Sequence, residues 1–165
     1  FVVRNVGNLV PPFGSSSPAE GAAIEYAIGV LGVKEIVICG HTRCGAMAEI
    51  VSGNIYLPEN AKRFPSVADW LREGESLRLQ LPQGATPDHA SEKNVRIQLE
   101  SLQGYPIVKE AVAKGKLTLH AWIFDLVGGD LREWSEEKQA FVPIGARLAK
   151  KVNRGSGAGL QFQKP

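Results

Sequence analysis

Residues 36–47, Ile-Val-Ile-Cys-Gly-His-Thr-Arg-Cys-Gly-Ala-Met, hold the side chains best placed to do chemistry. An apolar run ends at Gly40, His41 and Cys44 follow three residues apart, and the segment from Gly45 to Ser52 can start a helix. An imidazole nitrogen and a thiolate are both favoured zinc donors, and at this spacing both can reach one ion. A turn at the C-terminal end of a buried strand is where open α/β sheets place their ligands. Two donors fall one short of a catalytic zinc site, which takes three from the protein and keeps a fourth position open. Other chemistries fit less well. Gly40 and Gly45 bracket four residues as in a phosphate-cradling loop, but Ala46-Met47 stand where that loop needs Lys and then Ser or Thr. A cysteine-phosphatase or sulfurtransferase loop opens with cysteine and closes with arginine, whereas Arg43 precedes Cys44. Cys39, inside the apolar run, reads as a small buried hydrophobe rather than a ligand.

Such a turn needs a sheet to carry it. Residues around Val2 and Val3 read as a buried strand and 8–18 as a Pro/Gly/Ser loop. Residues 19–31 repeat Ala23, Ala27 and Val30 at helical spacing beside Ile24, Ile28 and Leu31, and Gly32 stops the helix. The β-branched run over 34–39 suits a strand buried on both faces of a parallel sheet. Strand, helix and strand in succession predict a parallel α/β sheet with right-handed crossovers. Ser66 can cap a helix bearing Val67, Trp70 and Leu71, between loops at 54–65 and 81–87. Helices follow at 91–102 and 107–113, then an alternating strand through Leu117, Leu119, Ala121 and Ile123. Gly128-Gly129 turns into an antiparallel edge strand at 131–134. The expected architecture is an open, mostly parallel sheet flanked by helices, with an antiparallel edge hairpin. One α/β domain spans 1–150, and 151–165 is a flexible, basic, Gly-rich tail.

Composition narrows the class. The chain has 165 residues, 44% hydrophobic and 22% charged, enough for one globular core. A net charge of +2 gives no electrostatic case for a nucleic-acid or membrane partner. Two cysteines build no disulfide framework and fit a reducing compartment, so the expected location is cytoplasmic, with an organellar or carboxysomal one left open.

Several segments occur in a recognisable order. They are residues 1–12 (Phe-Val-Val-Arg-Asn-Val-Gly-Asn-Leu-Val-Pro-Pro), 21–28 (Gly-Ala-Ala-Ile-Glu-Tyr-Ala-Ile), and the Cys39-Gly40-His41-x-x-Cys44-Gly45 turn. Asn94-Val95 with Gln98, Tyr105-Pro106-Ile107-Val108, Gly115-Lys116-Leu117 and Leu119-His120-Ala121-Trp122 follow. Together they resemble the β-class carbonic anhydrases over residues 1 to about 145. The resemblance implies a zinc lyase that interconverts carbon dioxide and bicarbonate by attack of zinc-bound hydroxide on carbon dioxide. It also implies a homodimer or higher even oligomer. His41 and Cys44 would hold the zinc; Phe1, Val6 and Tyr26 would line a narrow apolar substrate pocket, and the Gly45 backbone N–H would face the substrate. Without the resemblance, Phe1, Val6 and Tyr26 read simply as core. Arg4 would bind bicarbonate or form an ion pair with Glu20 or Glu25.

The family's first zinc cysteine sits in a Cys-x-Asp-x-Arg motif, on a strand preceding the one expected at Phe1. This chain lacks that motif, and with it the Asp–Arg pair that orients the zinc-bound water. It therefore reads as a shortened piece of a longer enzyme, inactive alone; the alternative is a non-catalytic assembly or binding subunit that keeps the fold. Of the remaining histidines, His89 reads as a solvated residue in a polar loop and His120 as buried or partnered on its strand.

Overall fold

The computed structural model describes residues 1–144. Residues 145–165, which include the expected tail and the end of the expected domain, lie outside the described residues. Helix α1 (Pro18–Gly29) leads into strand β1 (Glu35–His41), which opens into α2 (Gly45–Ser52). Short helices α3 (Pro58–Arg63), α4 (Pro65–Leu71) and α5 (Glu75–Gln80) follow, then the long α6 (Pro87–Gln103) and α7 (Pro106–Ala113). Strands β2 (Thr118–Phe124), β3 (Leu131–Ser135) and β4 (Ala140–Pro143) complete the mixed sheet, in the order β1-β2-β3-β4. β1 and β2 run parallel, and β3 and β4 add as the antiparallel edge hairpin. Among the described residues, no helix is long and apolar enough to cross a membrane.

α6 organises the interior because its apolar residues occupy two faces. Val95 and Leu102 join Ile38, Ala121 and Ile123 of the sheet and Val108 of α7. Ala90 and Ile97 join Met47 and Ile50 of α2, Leu71 of α4 and Leu77 of α5. Gly40 makes the first contact possible: a Cβ there would lie 2.7 Å from Val95 Cγ1 and 3.1 Å from Ile123 Cδ1. A side chain at this position would push α6 off the end of β1. The helix starts cleanly, with the Thr86 hydroxyl accepting from the His89 N–H and Pro87 in the first turn.

Several expectations need correction. Residues 1–5 form no strand, and Phe1, Val2 and Val3 are exposed rather than buried. β1 pairs only with β2 among the described residues, so nothing offers this segment a backbone partner. A cleft of about 390 Å³ separates Phe1, Val2 and Val3 from the open edge of β1, Glu35 to Cys39. Cys39 opens on that cleft and is exposed, not a buried hydrophobe. Residues 54–65 are not all loop: Pro58 in the first turn, Glu59 beside it and Lys62 and Arg63 in the last turn make α3 a well-signalled helix. Phe64, not Ser66, caps α4. β3 is internal, because β4 pairs along its far side. His89 lies in the first turn of α6 rather than in a loop. His120 is partnered, its Nδ1 standing 2.6 Å from Glu133 Oε1 across β2 and β3.

Candidate metal centre

His41 is the last residue of β1, and Cys44 is the cap from which α2 starts. The expected strand-turn-helix context is therefore present. The His41 Nδ1 lies 2.9 Å from the Thr42 carbonyl oxygen. A carbonyl can only accept, so Nδ1 carries a hydrogen, and Nε2 is the ring nitrogen left that could bind a metal. Cys44 is a free, buried thiol. The N-terminus of α2 beside it carries partial positive charge, which suits a thiolate ligand.

Two carboxylates brace the turn. The Arg43 N–H donates to Asp88 Oδ1 at 2.6 Å. Arg43 has φ +56°, a left-handed conformation that a side chain adopts only when neighbours hold it there. On the other side, the Thr42 hydroxyl accepts from the Leu126 N–H at 3.0 Å and donates to Asp125 Oδ1 at 3.4 Å. Asp125 Oδ1 also accepts from the backbone N–H groups of Val127 and Gly128. Those two backbone donors, reinforced by Thr42, hold the Asp125 carboxyl below its ordinary range. Because the folded-state pKa is depressed, this stabilisation is present above the unfolded value of about 4 and lost as pH falls through the folded one. Asp125→Asn should therefore flatten the loss of stability below about pH 4. Urea unfolding at stepped pH measures this, and parallel acid profiles for the two proteins would contradict it.

The segment ahead of α1 is tied to α6 by buried amides. Asn94 Nδ2 donates to the Gly7 carbonyl at 2.9 Å, and Gln98 Nε2 donates to Asn94 Oδ1 at 3.0 Å. Gln98 Oε1 then accepts from the Val10 N–H at 2.7 Å. The expected pocket residues are more scattered. Phe1 and Tyr26 meet with ring centroids 6.1 Å apart, yet they are 70% and 49% exposed, so neither is core. Val6 is exposed in a single turn of 3-10 helix, its carbonyl accepting from Trp70 Nε1 at 2.7 Å. Gly45 opens α2 and faces open space. The cleft along β1 is lined by Phe1 but not by Val6, Tyr26, His41, Cys44 or Gly45. Arg4 is exposed and forms no ion pair among the described residues.

The donors fit zinc in kind but not in number. Among the described residues, no group of three His, Cys, Asp or Glu side chains is placed to hold a metal ion. Asp88, Asp125 and Thr42 escaped the sequence reading because their roles depend on contacts 45 to 84 residues away. Asn94 and Gln98 left a trace: two amides one helical turn apart, on the same helix as buried Val95 and Leu102.

A family model described as carbonic anhydrase matches residues 1–131. A carbonic anhydrase of Synechococcus elongatus is 39% identical over 142 residues, covering 82% of this chain and 51% of that protein. Carbonic anhydrase 1 of Escherichia coli O157:H7 is 37% identical, covering 87% of this chain and 66% of that protein. The solved structure of the β-carbonic anhydrase CcaA superposes with a TM-score of 0.78 at 34% identity, covering 87% of this chain and 71% of that one. The chain thus spans about half to two thirds of the length of these two relatives.

Proposed function

From the premise that this chain belongs to the β-class carbonic anhydrase family, we propose that it carries the zinc-binding turn of an enzyme interconverting carbon dioxide and bicarbonate. The observation that supports this most is the turn itself: His41, with Nδ1 engaged and Nε2 free, and the buried thiol of Cys44 at the start of a helix. His41 and Cys44 would hold the ion, with a third donor coming from a segment beyond this chain. Bound zinc would supply Lewis-acid activation of water for attack on carbon dioxide. The chain's own residues fix the imidazole tautomer through Thr42, seat Cys44 at a helix N-terminus, and leave open space beside Gly45 for a small substrate.

Assembly into a homodimer or higher even oligomer is part of the reading. Phe1, Phe13 and Tyr26 are all about half exposed or more, with Val2, Val3 and Val6 also open. A soluble monomer rarely leaves so much apolar surface to water.

Calorimetric zinc titration of the 165-residue chain tests the metal assignment. His41→Ala and Cys44→Ser are each expected to weaken binding by at least about tenfold. Cys39→Ser should leave it unchanged, since that thiol opens on the cleft instead. Binding that survives both of the first two changes, or fails only with Cys39, would overturn the assignment.

A further inference from the structure

We infer that Asp88 is a positioning residue for the metal turn: its carboxylate, fixed on α6, sets the separation of His41 and Cys44 by holding the backbone of Arg43. The inference rests on the functional reading above and concerns a residue outside the donor set.

The geometry is a matter of register. Val95 of α6 lies against Gly40, and Asp88 of the same helix bonds the backbone of Arg43. From residue 95 to residue 88 the helix advances about 10.5 Å at about 1.5 Å per residue. Residue numbers fall from Val95 to Asp88 along α6 as they rise from Gly40 to Arg43, so α6 runs antiparallel to the end of β1 and carries Asp88 to the turn as a fixed reference point. α6 is itself anchored at the far end by Asn94 on Gly7 and Gln98 on Val10.

Arg43 sits between the two donors. Its φ of +56° sets the direction in which the chain leaves toward Cys44, and the N–H on that same bond is the group Asp88 holds. A carboxylate accepting a backbone N–H at 2.6 Å forms a short, charge-assisted bond. Without it, Arg43 is free to relax toward right-handed or extended backbone, and Cys44 turns away from His41. Asp88 also stands in the first turn of α6, where the helix dipole favours a negative side chain. That second role is structural, and the test must separate it from the first.

Cobalt titration provides the test, in a Cys39→Ser background that removes the exposed thiol. The readout is the near-ultraviolet thiolate-to-cobalt absorption, which reports Cys44 as a ligand independently of catalysis. Asp88→Ala is expected to weaken cobalt binding about 10- to 100-fold, the range seen when a group that orients a ligand is lost. Asp88→Asn, whose amide oxygen still accepts from Arg43, should recover most of that loss. Thr86→Ala removes the α6 cap without touching Arg43, so it should lower the melting temperature while leaving the absorption and affinity near the parent values. If Thr86→Ala and Asp88→Ala weaken cobalt binding in parallel with their loss of stability, Asp88 is only a helix-start residue and the inference fails. It fails equally if Asp88→Ala binds cobalt as the parent does while Cys44→Ser abolishes the absorption. If Cys44→Ser leaves cobalt binding and its absorption intact, the metal assignment itself falls, and that outcome is distinct from both.

Discussion

Stopped-flow assays of the 165-residue chain are expected to show carbon dioxide hydration no faster than background, with zinc or without it. Among the described residues the turn offers two donors, and no third is placed to complete a site. The open edge of β1 and the cleft beside it add a second deficit, because no strand among the described residues pairs with the sheet edge next to His41. The same chain extended upstream through the family's Cys-x-Asp-x-Arg motif should gain at least about a thousandfold. That gain corresponds to only about 4 kcal/mol of transition-state stabilisation, a modest demand for a completed metal site. Full activity in the 165-residue form would refute the prediction and require another residue or a neighbouring chain to supply the missing donor.

Asn94→Ala is expected to be among the most destabilising single changes, at about 3 kcal/mol. Asn94 is fully buried and bonded at both ends of its amide. Truncation strands the Gly7 carbonyl and the Gln98 amide, each costing about 1–3 kcal/mol when buried without a partner. It also leaves a small void between α6 and the N-terminal segment. For a domain of this size each kcal/mol lowers the melting temperature by roughly 2–4 °C, so a fall of about 6–12 °C is expected. A surface change of similar size, such as Glu100→Ala on the same helix, should move it by less than about 2 °C. Equal, small shifts for the two variants would mean that the amide chain does not tie the N-terminal segment to α6.

Local pattern alone determined most of the helices, the strand that carries His41, and the turn that follows it. α1, α6 and α7 announce themselves by spacing and by their proline or glycine boundaries, and β1 by its β-branched run. The metal role proposed for the turn rests on the same kind of signal, since two donor types three residues apart at a strand end are a local pattern. Strand status at residues 1–5 was not local. Val2 and Val3 have strand propensity, but a strand exists only when another backbone pairs with it, and none does among the described residues. Cys39 reversed its expected burial for the same cause, because a residue inside an apolar run is buried only if the adjacent sheet edge and face are covered. Tertiary structure alone decided how the turn is held. Asp88 on Arg43, Asp125 with Thr42, and Asn94 on Gly7 each join residues 45 to 87 positions apart. Such bonds depend on α6 lying against β1 with Val95 over Gly40, a packing register that no short window of sequence contains.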